Sequence, residues 1–486
     1  AYKITYKNPF NKSEGGIIDV KFLVGTTDQY YDDNGQLQIA KRATSATEAV
    51  DTTTNYYVHP AFTNESNINY ANGGWDKELT GIWVAKFEAG FASGNNTAKV
   101  KASSVNYSQT TAWVPAIEAG TQQDSTQSAR NWLDGEYAVR NSDGSYAWKN
   151  GQQTSIKYPT FQPKTYAMNY NNVNDAYNIS KVLTENGNIY GLNSNSTDSH
   201  LIKNSEWGAV AYLGHSQYGY GEATQKEPYL NNISLNNSTK SVYAVTGVTT
   251  GTTNASAKTT TIDNINGTTG NTANGEIYTW DQIEGQKASS TLNMYGVYDM
   301  SGGTWERTAG YLANGNIRLK EYGASVAYDG DNLKTISTKY TTVYPFDSTK
   351  DNTGIANNDT NLNAASEANY SKNKYIFGDA IRETSTSGTG TSSWNGDYSY
   401  FPGLNNPFVI RSGNYWNGAN AGPFYFNRTN GNSNYNDSFR PVLVALRYTK
   451  IHKGIYLGGE MFKDISERKD QSLFYNCKMK KVVEKK

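Results

Sequence analysis

Few residues in this sequence have side chains suited to redox, nucleophilic or metal chemistry. The single cysteine, Cys477, lies near the end of the chain, so no disulfide can form within it. The four histidines are His59, His200, His215 and His452. His200 and His215 flank a predicted helix and lie about four turns apart, too far to share an ion through that helix. No histidine stands in the close-spaced pair with a carboxylate that is typical of non-haem iron sites, so each is predicted to have a structural role.

Other signatures of catalysis or cofactor binding are also missing from the sequence. It has no Gly-x-Ser-x-Gly elbow, Walker loop or dinucleotide fingerprint in a suitable context. The run Asp329-Gly330-Asp331 could hold a structural Ca²⁺ ion, although it does not follow the EF-hand pattern. The sequence therefore predicts no catalytic residue and no cofactor beyond such an ion, which favours a binding protein over an enzyme.

The window Arg411–Arg440 has side chains suited to recognition. Its frame consists of Arg, Gly, Ala and Phe, namely Arg411, Gly413, Gly418, Ala421, Gly422, Phe424, Phe426, Phe439 and Arg440. Within the frame lie asparagines at 414, 417, 420, 427, 430, 432, 434 and 436, with Tyr, Ser, Thr, Arg and Asp among them. Tyr provides rigid contact area and Asn and Ser provide adaptable hydrogen bonds, as in antibody paratopes. The alternative is an ordinary polar loop, since Asn is common throughout the chain, but that alternative does not account for the frame.

The composition predicts a folded chain rich in β-strands and long polar loops. Of 486 residues, 38 are Tyr and 45 are Gly, aromatics reach 13% and charged residues only 18%. Tyr and Thr favour strands, whereas Asn and Gly favour turns. The net charge of zero argues against nucleic acid or an anionic membrane as partner, because both require a basic face.

No segment of the sequence is suited to crossing a membrane. The longest apolar run, Pro441–Leu446, is far shorter than the ~20 residues that a spanning helix needs. No signal peptide is visible, and the first residue is Ala1 rather than Met, as expected if a leader or an upstream domain is missing.

Three parts of the chain differ in character. Residues 1–55 hold short alternating stretches and are predicted to form a small β-rich N-terminal segment. Residues 56–446 are predicted to form the main domain, with long polar insertions at 234–275 and 348–398. Residues 447–486 carry 11 Lys and Arg against 5 Asp and Glu, and are predicted to form a solvated basic tail. The alternative for the tail is a weak amphipathic helix over 460–481.

Within the main domain, periodicity predicts one strand and two helices. The strand covers Ile82–Phe87, where apolar residues alternate. The helices cover Asp175–Leu183 and Ser199–His215, the second with Ser205 as its candidate N-cap.

Four stretches, taken in order, resemble the formylglycine-generating-enzyme-like branch of the C-type-lectin fold. They are Ile82–Glu88 (IWVAKFE), Lys203–Tyr212 (KNSEWGAVAY), Gly296–Glu306 (GVYDMSGGTWE) and Val409–Trp416 (VIRSGNYW), closed by Ser438–Val442 (SFRPV). The third stretch is the most specific, and the resemblance spans about residues 56–446. It implies an α+β, C-type-lectin-like domain with long insertions.

The residues of these stretches are predicted to build a rigid frame. The Asp-Met-Ser-Gly-Gly run of the third stretch is predicted to be a tight turn in which glycines take positive φ. Trp305 is expected to fill the core. Arg411 and Arg440 are expected to pair with buried carboxylates or carbonyls, for example those of Asp299 or Glu306.

The C-terminal window also resembles the variable region of diversity-generating-retroelement target proteins from gut bacteria and their prophages. In that family Asn codons are randomised during reverse transcription, and a lectin-like scaffold displays the products as a ligand-binding surface. The resemblance implies ligand-binding side chains at Asn414, Tyr415, Asn417, Tyr425, Asn427, Arg428, Thr429, Asn430, Asn432, Ser433, Asn434, Tyr435, Asn436 and Asp437. Trp416 is assigned to the scaffold, because adenine changes in such an Asn codon do not produce Trp.

The same resemblance implies an extracellular receptor-binding protein on a phage virion or a bacterial cell surface. Its expected partner is a host-surface protein or glycan, and a homo-oligomer would be natural for a fibre tip. The forty or so residues after the closing strand depart from the family pattern, in which the chain usually ends soon after that strand.

Two alternatives remain from other functional classes. Relatives that oxidise a substrate cysteine use their own cysteines, yet none occurs between Ala1 and Asn476, and iron-dependent relatives need a histidine cluster. An oxidoreductase is therefore disfavoured. A non-variable structural or adhesive surface protein is the other alternative, and the sequence does not name the ligand.

Overall fold

The computed structural model describes residues 1–7, 17–23, 29–32, 34–42, 50–64, 73–93, 138–142, 146–148, 157–161, 166–220, 243–245, 248–250, 255–257, 277–279, 286, 289–346, 359–373, 375–414, 417, 420–434, 436–446 and 474–476. The predicted insertion at 234–275, His452, Cys477 and most of the basic tail lie largely or wholly outside these residues.

The described strands are short and are distributed along the whole chain. In order they are β1 (Tyr2–Lys7), β2 (Ile17–Phe22), β3 (Gln29–Tyr31), β4 (Leu37–Ile39), β5 (Trp83–Ala85), β6 (Gly90–Ser93), β7 (Ala138–Arg140), β8 (Tyr146–Trp148), β9 (Lys157–Thr160), β10 (Tyr166–Ala167), β11 (Thr197–Leu201), β12 (Tyr243–Val245), β13 (Val248–Thr250), β14 (Ala255–Ala257), β15 (Ile277–Thr279), β16 (Trp305–Leu312), β17 (Tyr328–Asp329), β18 (Asn332–Leu333), β19 (Thr342–Tyr344), β20 (Thr389–Gly390), β21 (Ser399–Tyr400), β22 (Phe408–Arg411), β23 (Phe426–Thr429), β24 (Asp437–Phe439), β25 (Pro441–Ala445) and β26 (Phe474–Asn476).

The described α-helices are α1 (Val173–Val182), α2 (Asn204–Ala211), α3 (Gln217–Tyr220), α4 (Ile317–Ala327) and α5 (Asp359–Lys372). Short 3₁₀ turns cover Pro60–Phe62, Tyr212–His215 and Trp394–Gly396. Helices and sheets together give the α+β structure that the sequence predicts. In the described part of the chain, no helix has the length and apolar character needed to cross a membrane.

Two sheets position the C-terminal window. The larger has the order β19–β16–β22–β23–β21–β20, with β24 also paired to β16, and the smaller has the order β11–β25–β5–β26. Only Arg440 separates β24 from β25, so the chain passes from one sheet to the other at that residue. Arg411 lies opposite Glu306 on β16 and opposite Phe426 on β23. The junction of the two sheets is therefore the structural centre beneath the window.

Two clusters of buried apolar side chains form the core. One contains Trp207 on α2, Phe424 from the frame of the window, and Tyr2 and Val20 from the first two strands. The described part of residues 1–55 is β-rich and contributes directly to this cluster. The second cluster lies where α1 and α4 pack beside β16. Each fully buried apolar side chain stabilises the fold by about 1.5–3 kcal/mol, so both clusters support the sheet junction.

The structure confirms the first predicted helix and partly overturns the second. α1 begins after Asn172, whose side chain accepts a hydrogen bond from the Asp175 amide, and it ends close to the predicted boundary. The predicted helix Ser199–His215 is wrong in its first part, because β11 runs to Leu201 and pairs with β25. Sheet pairing outweighs local periodicity there, and the N-cap is Lys203 rather than Ser205.

Two further predictions concern strands. The strand over Ile82–Phe87 is confirmed in its centre, where β5 covers Trp83–Ala85. In the tail, β26 pairs with β5 in antiparallel register. The predictions of a solvated tail and of a helix over 460–481 are therefore both wrong for the three residues of β26.

Candidate ligand-binding surface

A buried arginine–glutamate pair lies at the junction of the two sheets. The Arg440 Nε donates to Glu306 Oε2 at 2.6 Å, and its Nη2 also bonds to Glu306 Oε1. The same guanidinium donates to the carbonyls of Ala85 and Tyr298, each at 2.8 Å. Burial alone would lower the pKa of Arg440, but the Glu306 carboxylate raises it. The prediction that Arg440 pairs with a buried carboxylate is confirmed.

Arg411 holds the start of the window through carbonyl groups. Its Nη2 donates to Ala380 O at 3.2 Å and to Pro423 O at 3.3 Å, so the prediction of carbonyl partners is confirmed. Burial lowers the pKa of Arg411 to about 10, against the effect of Asp379 and the other nearby anionic groups. Fully buried arginines that bond to backbone carbonyls hold two chain segments in a fixed geometry.

The predicted tight turn before β16 is present. Asp299 has φ +62°, and Gly302 and Gly303 have φ +84° and +77°, a region that glycine enters without a Cβ clash. The Asp299 carboxylate accepts a hydrogen bond from the Glu88 amide at 3.2 Å. Gly302 donates to the carbonyl of Ser412 at 3.3 Å, which joins this turn to the beginning of the window.

Trp305 lies at the rim of the window instead of in the core. Its side chain is half-buried, and its indole Nε1 donates to Asn417 Oδ1 at 3.0 Å. The prediction that Trp305 fills the core is therefore wrong. Trp207 occupies that place, fully buried with its indole bonded to Pro423 O at 2.7 Å.

Arg307 is the anchor of the second half of the window. It is fully buried on β16 and forms an ion pair with Asp437. Its guanidinium also donates to Thr429 Oγ1 at 3.3 Å, to Asn171 O at 3.3 Å and to Asn432 O. Burial raises the pKa of Asp437 to about 6, against the opposing effect of the Arg307 guanidinium. One buried cation thus holds both ends of the segment between β23 and β24.

The backbone of that segment is attached at further points by main-chain atoms. The carbonyl of Gly431 accepts from Val173 N at 3.2 Å, and that of Asn434 accepts from Tyr170 N at 2.9 Å. The carbonyl of Asn436 accepts from Trp305 N at 2.8 Å. Because these bonds do not use side-chain atoms, they position the segment without fixing the residue type at 432, 433 or 434.

The predicted ligand-binding residues fall into four groups by exposure. Asn432 and Ser433 are exposed. The half-buried group consists of Asn417, Asn427, Arg428, Thr429, Asn430 and Asn434. The buried group consists of Asn414, Tyr425, Asn436 and Asp437. Tyr415 and Tyr435 lie outside the described residues, as does Trp416.

Burial corrects the expectation that all the predicted positions face outward. Tyr425 is 1% exposed, and its hydroxyl accepts from Asn427 Nδ2 at 2.9 Å. Asp437 is held by Arg307, and Asn414 and Asn436 are buried beside the frame. A buried side chain that contacts the frame cannot be exchanged without loss of packing or of a buried partner. These four positions therefore belong to the scaffold side of the surface.

The three half-buried residues of β23 do not share one face. Side chains alternate along a strand, so Asn427 and Thr429 lie on the face opposite to Arg428. Arg428 contacts α5 and β21: its Nη1 donates to Ser366 Oγ at 2.7 Å and its Nη2 to Tyr400 Oη at 2.8 Å. The exposed part of the window is thus narrower than the sequence predicted.

The sequence matches no protein-family model and no curated protein. Support for a function therefore rests on the geometry and on the residues themselves.

Sequence reasoning missed three residues that border the window. Tyr398 and Tyr400 are half-buried, with ring centroids 6.1 Å apart, and the Tyr398 ring lies 5.9 Å from that of Tyr425. Their spacing, Tyr-Ser-Tyr, is the period-2 pattern of a strand and could have been found in the sequence. Arg307 carried no such signal, because its role depends on pairing with a residue 130 positions away.

One of the described histidines contacts carboxylates. His200 is fully buried between two carboxylates: its Nδ1 lies 2.7 Å from Asp198 Oδ1 and its Nε2 lies 3.0 Å from Glu206 Oε1. The sequence did not predict that His200 contacts two carboxylates, and the structural role predicted for it fits its burial. Burial would lower the pKa of His200, but the two carboxylates together raise it.

Among the described residues, His59, His215 and the Asp329–Asp331 turn give no sign of a metal site. His59 and His215 are buried, and burial lowers the pKa of His59 to about 3. Asp331 is largely exposed and pairs with Lys320 at 2.7 Å, so its carboxylate is engaged by a cation. Within the described ranges, no group of three or more His, Cys, Asp or Glu side chains is arranged to hold a metal ion.

Proposed function

We propose that this chain is a ligand-binding protein that displays an exchangeable surface patch on a C-type-lectin-like frame. The patch consists of Asn417, Asn427, Thr429, Asn430, Asn432, Ser433 and Asn434. The proposal has no catalytic step, and it places the protein outside the cell, on a phage virion or a bacterial surface. The partner is a host-surface protein or glycan.

The observation that carries the proposal is the way in which the segment 430–436 is attached. Its backbone is held by the carbonyls of Gly431, Asn432, Asn434 and Asn436, while the side chains of Asn432 and Ser433 are exposed. A binding site that changes its specificity needs a fixed backbone and side chains that do not support the fold. Asn432 and Ser433 meet both requirements, because they are exposed and lie between the main-chain attachments at Gly431 and Asn434.

The frame beneath the patch gives further support. β5 lies in the stretch similar to the family's opening strand. It pairs with β25, which begins within the closing stretch Ser438–Val442. The family-like stretches supply Arg440 and Glu306, which form a buried pair at the sheet junction. They also supply Arg411, which donates to a backbone carbonyl at the start of the window. Rigid attachment of this kind lowers the entropic cost of ordering a binding surface when a ligand binds.

A displayed library provides the direct test. The full chain is displayed on yeast with residues 430, 432, 433 and 434 randomised, and the library is sorted for binding to lysozyme and to serum albumin. We expect binders of micromolar affinity or better, with display levels close to that of the parent chain, because these four side chains are exposed or half-buried at the surface of the window.

A control library at a different exposed surface tests whether binders arise only from the patch. Its randomised residues are the exposed face of the separate β3–β4 sheet, Tyr31, Leu37 and Ile39, which are 72%, 54% and 66% exposed. Binders from the window library but not from this control support the proposal. Equal yields, or a window library that no longer folds, would contradict it.

Natural variation gives an independent test of the retroelement part. Sequencing of the same locus in sister isolates should show substitutions concentrated at the patch residues and absent from Arg307, Tyr425 and Asp437. A nearby reverse transcriptase gene and a near-copy of the DNA encoding Arg411–Arg440 are also expected. A locus without that template, and with substitutions spread evenly over the chain, would favour a fixed adhesive protein.

A further inference from the structure

Half-buried aromatic side chains from outside the window lie directly beside the proposed patch. Trp305 comes from β16, and Tyr398 and Tyr400 come from β21 and the residue before it. These residues, called here the aromatic strip, are each half-buried. None of them belongs to the positions that the sequence predicted to vary.

The strip and the patch are joined through buried Tyr425. The Tyr425 ring lies 5.9 Å from the Tyr398 ring, and its hydroxyl bonds to Asn427 Nδ2 at 2.9 Å. On the other side, the Trp305 indole donates to Asn417 at 3.0 Å. Asn417 therefore contacts one end of the strip directly, and Asn427 is linked to the other end through Tyr425.

The strip is held rigidly. Tyr398 is fixed through its main chain, since its amide donates to Asn420 O at 2.9 Å and its carbonyl accepts from Phe426 N at 3.1 Å. The Tyr400 ring is covered by the Arg428 guanidinium, 3.9 Å from the ring centroid. Aromatic side chains that are fixed before binding lose little conformational entropy when they bind.

From this geometry we infer that the aromatic strip is a constant anchor of the binding surface, and that its partner is a folded protein. This inference rests on the proposed function. Trp, Tyr and Arg are the residues most enriched at the energetic centres of protein–protein interfaces, whereas Lys, Glu and Asp are depleted there. The strip offers Trp305, Tyr398 and Tyr400, with amide side chains beside them. The anchor supplies contact area to every ligand, and the patch selects among ligands.

The test uses binders isolated from the window library against lysozyme and against serum albumin. In each binder Tyr398 and Tyr400 are changed singly to Ser, and Tyr31→Ser on the β3–β4 sheet is the matched control. We expect each strip variant to weaken binding to both targets by about tenfold or more, since that loss is typical of a central aromatic contact. The Tyr31→Ser variant should bind as its parent does.

Footprinting of unaltered binders keeps the test independent of folding defects. Hydroxyl-radical oxidation of Tyr398 and Tyr400 should fall when lysozyme is bound, while oxidation of Tyr31 should not change. Binders that keep their affinity in the Ser variants and show no protection would overturn the anchor but leave the proposed function intact. A window library that yields no binders at all overturns the proposed function itself. A window library that yields binders of neutral oligosaccharides, but none of lysozyme or serum albumin, overturns the choice of a folded protein as partner.

Discussion

The buried ion pair between Arg307 and Asp437 should control the stability of the window. In the variant Arg307→Met, the Asp437 carboxylate loses its cation, and the carbonyls of Asn171 and Asn432 lose a donor. Removing one partner of a buried pair costs about 3–5 kcal/mol, because the other charge is left buried without compensation. The segment can relax toward water at Asn432, so we expect a loss in the free energy of unfolding of about 3 kcal/mol.

The loss should depend on pH in a defined direction. Burial already raises the pKa of Asp437 to about 6, and the Arg307 guanidinium is the group that opposes the rise, so the pKa should be higher still in the variant. A carboxyl group with a raised pKa in the folded state binds a proton more tightly there, so stability falls as the pH rises through that range. The cost of Arg307→Met should therefore be larger at about pH 8 than at about pH 5.

Urea unfolding followed by tryptophan fluorescence measures both effects at the two pH values. The matched control is Arg318→Met, which removes a half-exposed pair with Glu321 and should cost less than about 1 kcal/mol. The double variant Arg307→Met with Asp437→Leu should recover part of the loss, because no buried charge remains unpaired. Equal losses in the two Arg variants, or a cost that does not grow with pH, would refute the role given to Arg307.

Three other variants test the scaffold separately from the patch. Tyr425→Ala should cost about 3–5 kcal/mol as a large-to-small core change, whereas Ser433→Ala should shift the urea midpoint very little; comparable losses would mean that Tyr425 is not part of the core. The Glu383 carboxylate accepts hydrogen bonds from the hydroxyls of Tyr2 and Tyr212, at 2.7 and 2.6 Å. Burial raises the pKa of Glu383 to about 7, so its contribution to stability should fall by about 2–3 kcal/mol between about pH 4.5 and pH 7, and Glu383→Gln should flatten the stability–pH curve in that range. The two carboxylates beside His200 raise its pKa above 6.5. The stabilising effect of protonated His200 is therefore complete below pH 6.5 and is lost as the pH rises through the folded-state pKa. His200→Gln should remove this loss, as measured by thermal unfolding over a series of pH values.

Local sequence signals predicted the parts of the fold that depend on neighbours in the chain. The capped helix α1 follows from Asn172 and Asp175 being three residues apart, and the turn before β16 follows from its two glycines. The prediction failed at Ser199, where an apolar spacing suited to a helix was overridden by pairing with a strand more than two hundred residues later. Long-range pairing leaves no periodic trace in one segment.

The same distinction explains the site. The Asn-rich window was visible because its composition is local, but exposure within it depends on the sheet to which each residue belongs. Tyr425 is placed next to β23 with its ring toward the frame, and Asp437 meets a cation from β16. Composition marks a candidate surface, and packing then decides which of its members face the ligand.

The division of the window into held and exposed residues constrains how such a surface could change without loss of folding. Arg307 uses one ion pair and several main-chain acceptors to fix a segment whose exposed residues contribute little to its position. Exchange at 432 or 433 then alters the surface at small cost in stability, whereas exchange at 437 removes a buried charge partner. A diversification process that altered all the predicted positions equally would produce many unfolded chains. The stability difference between changes at Asp437 and changes at Ser433 is therefore the quantity on which an exchangeable binding surface depends.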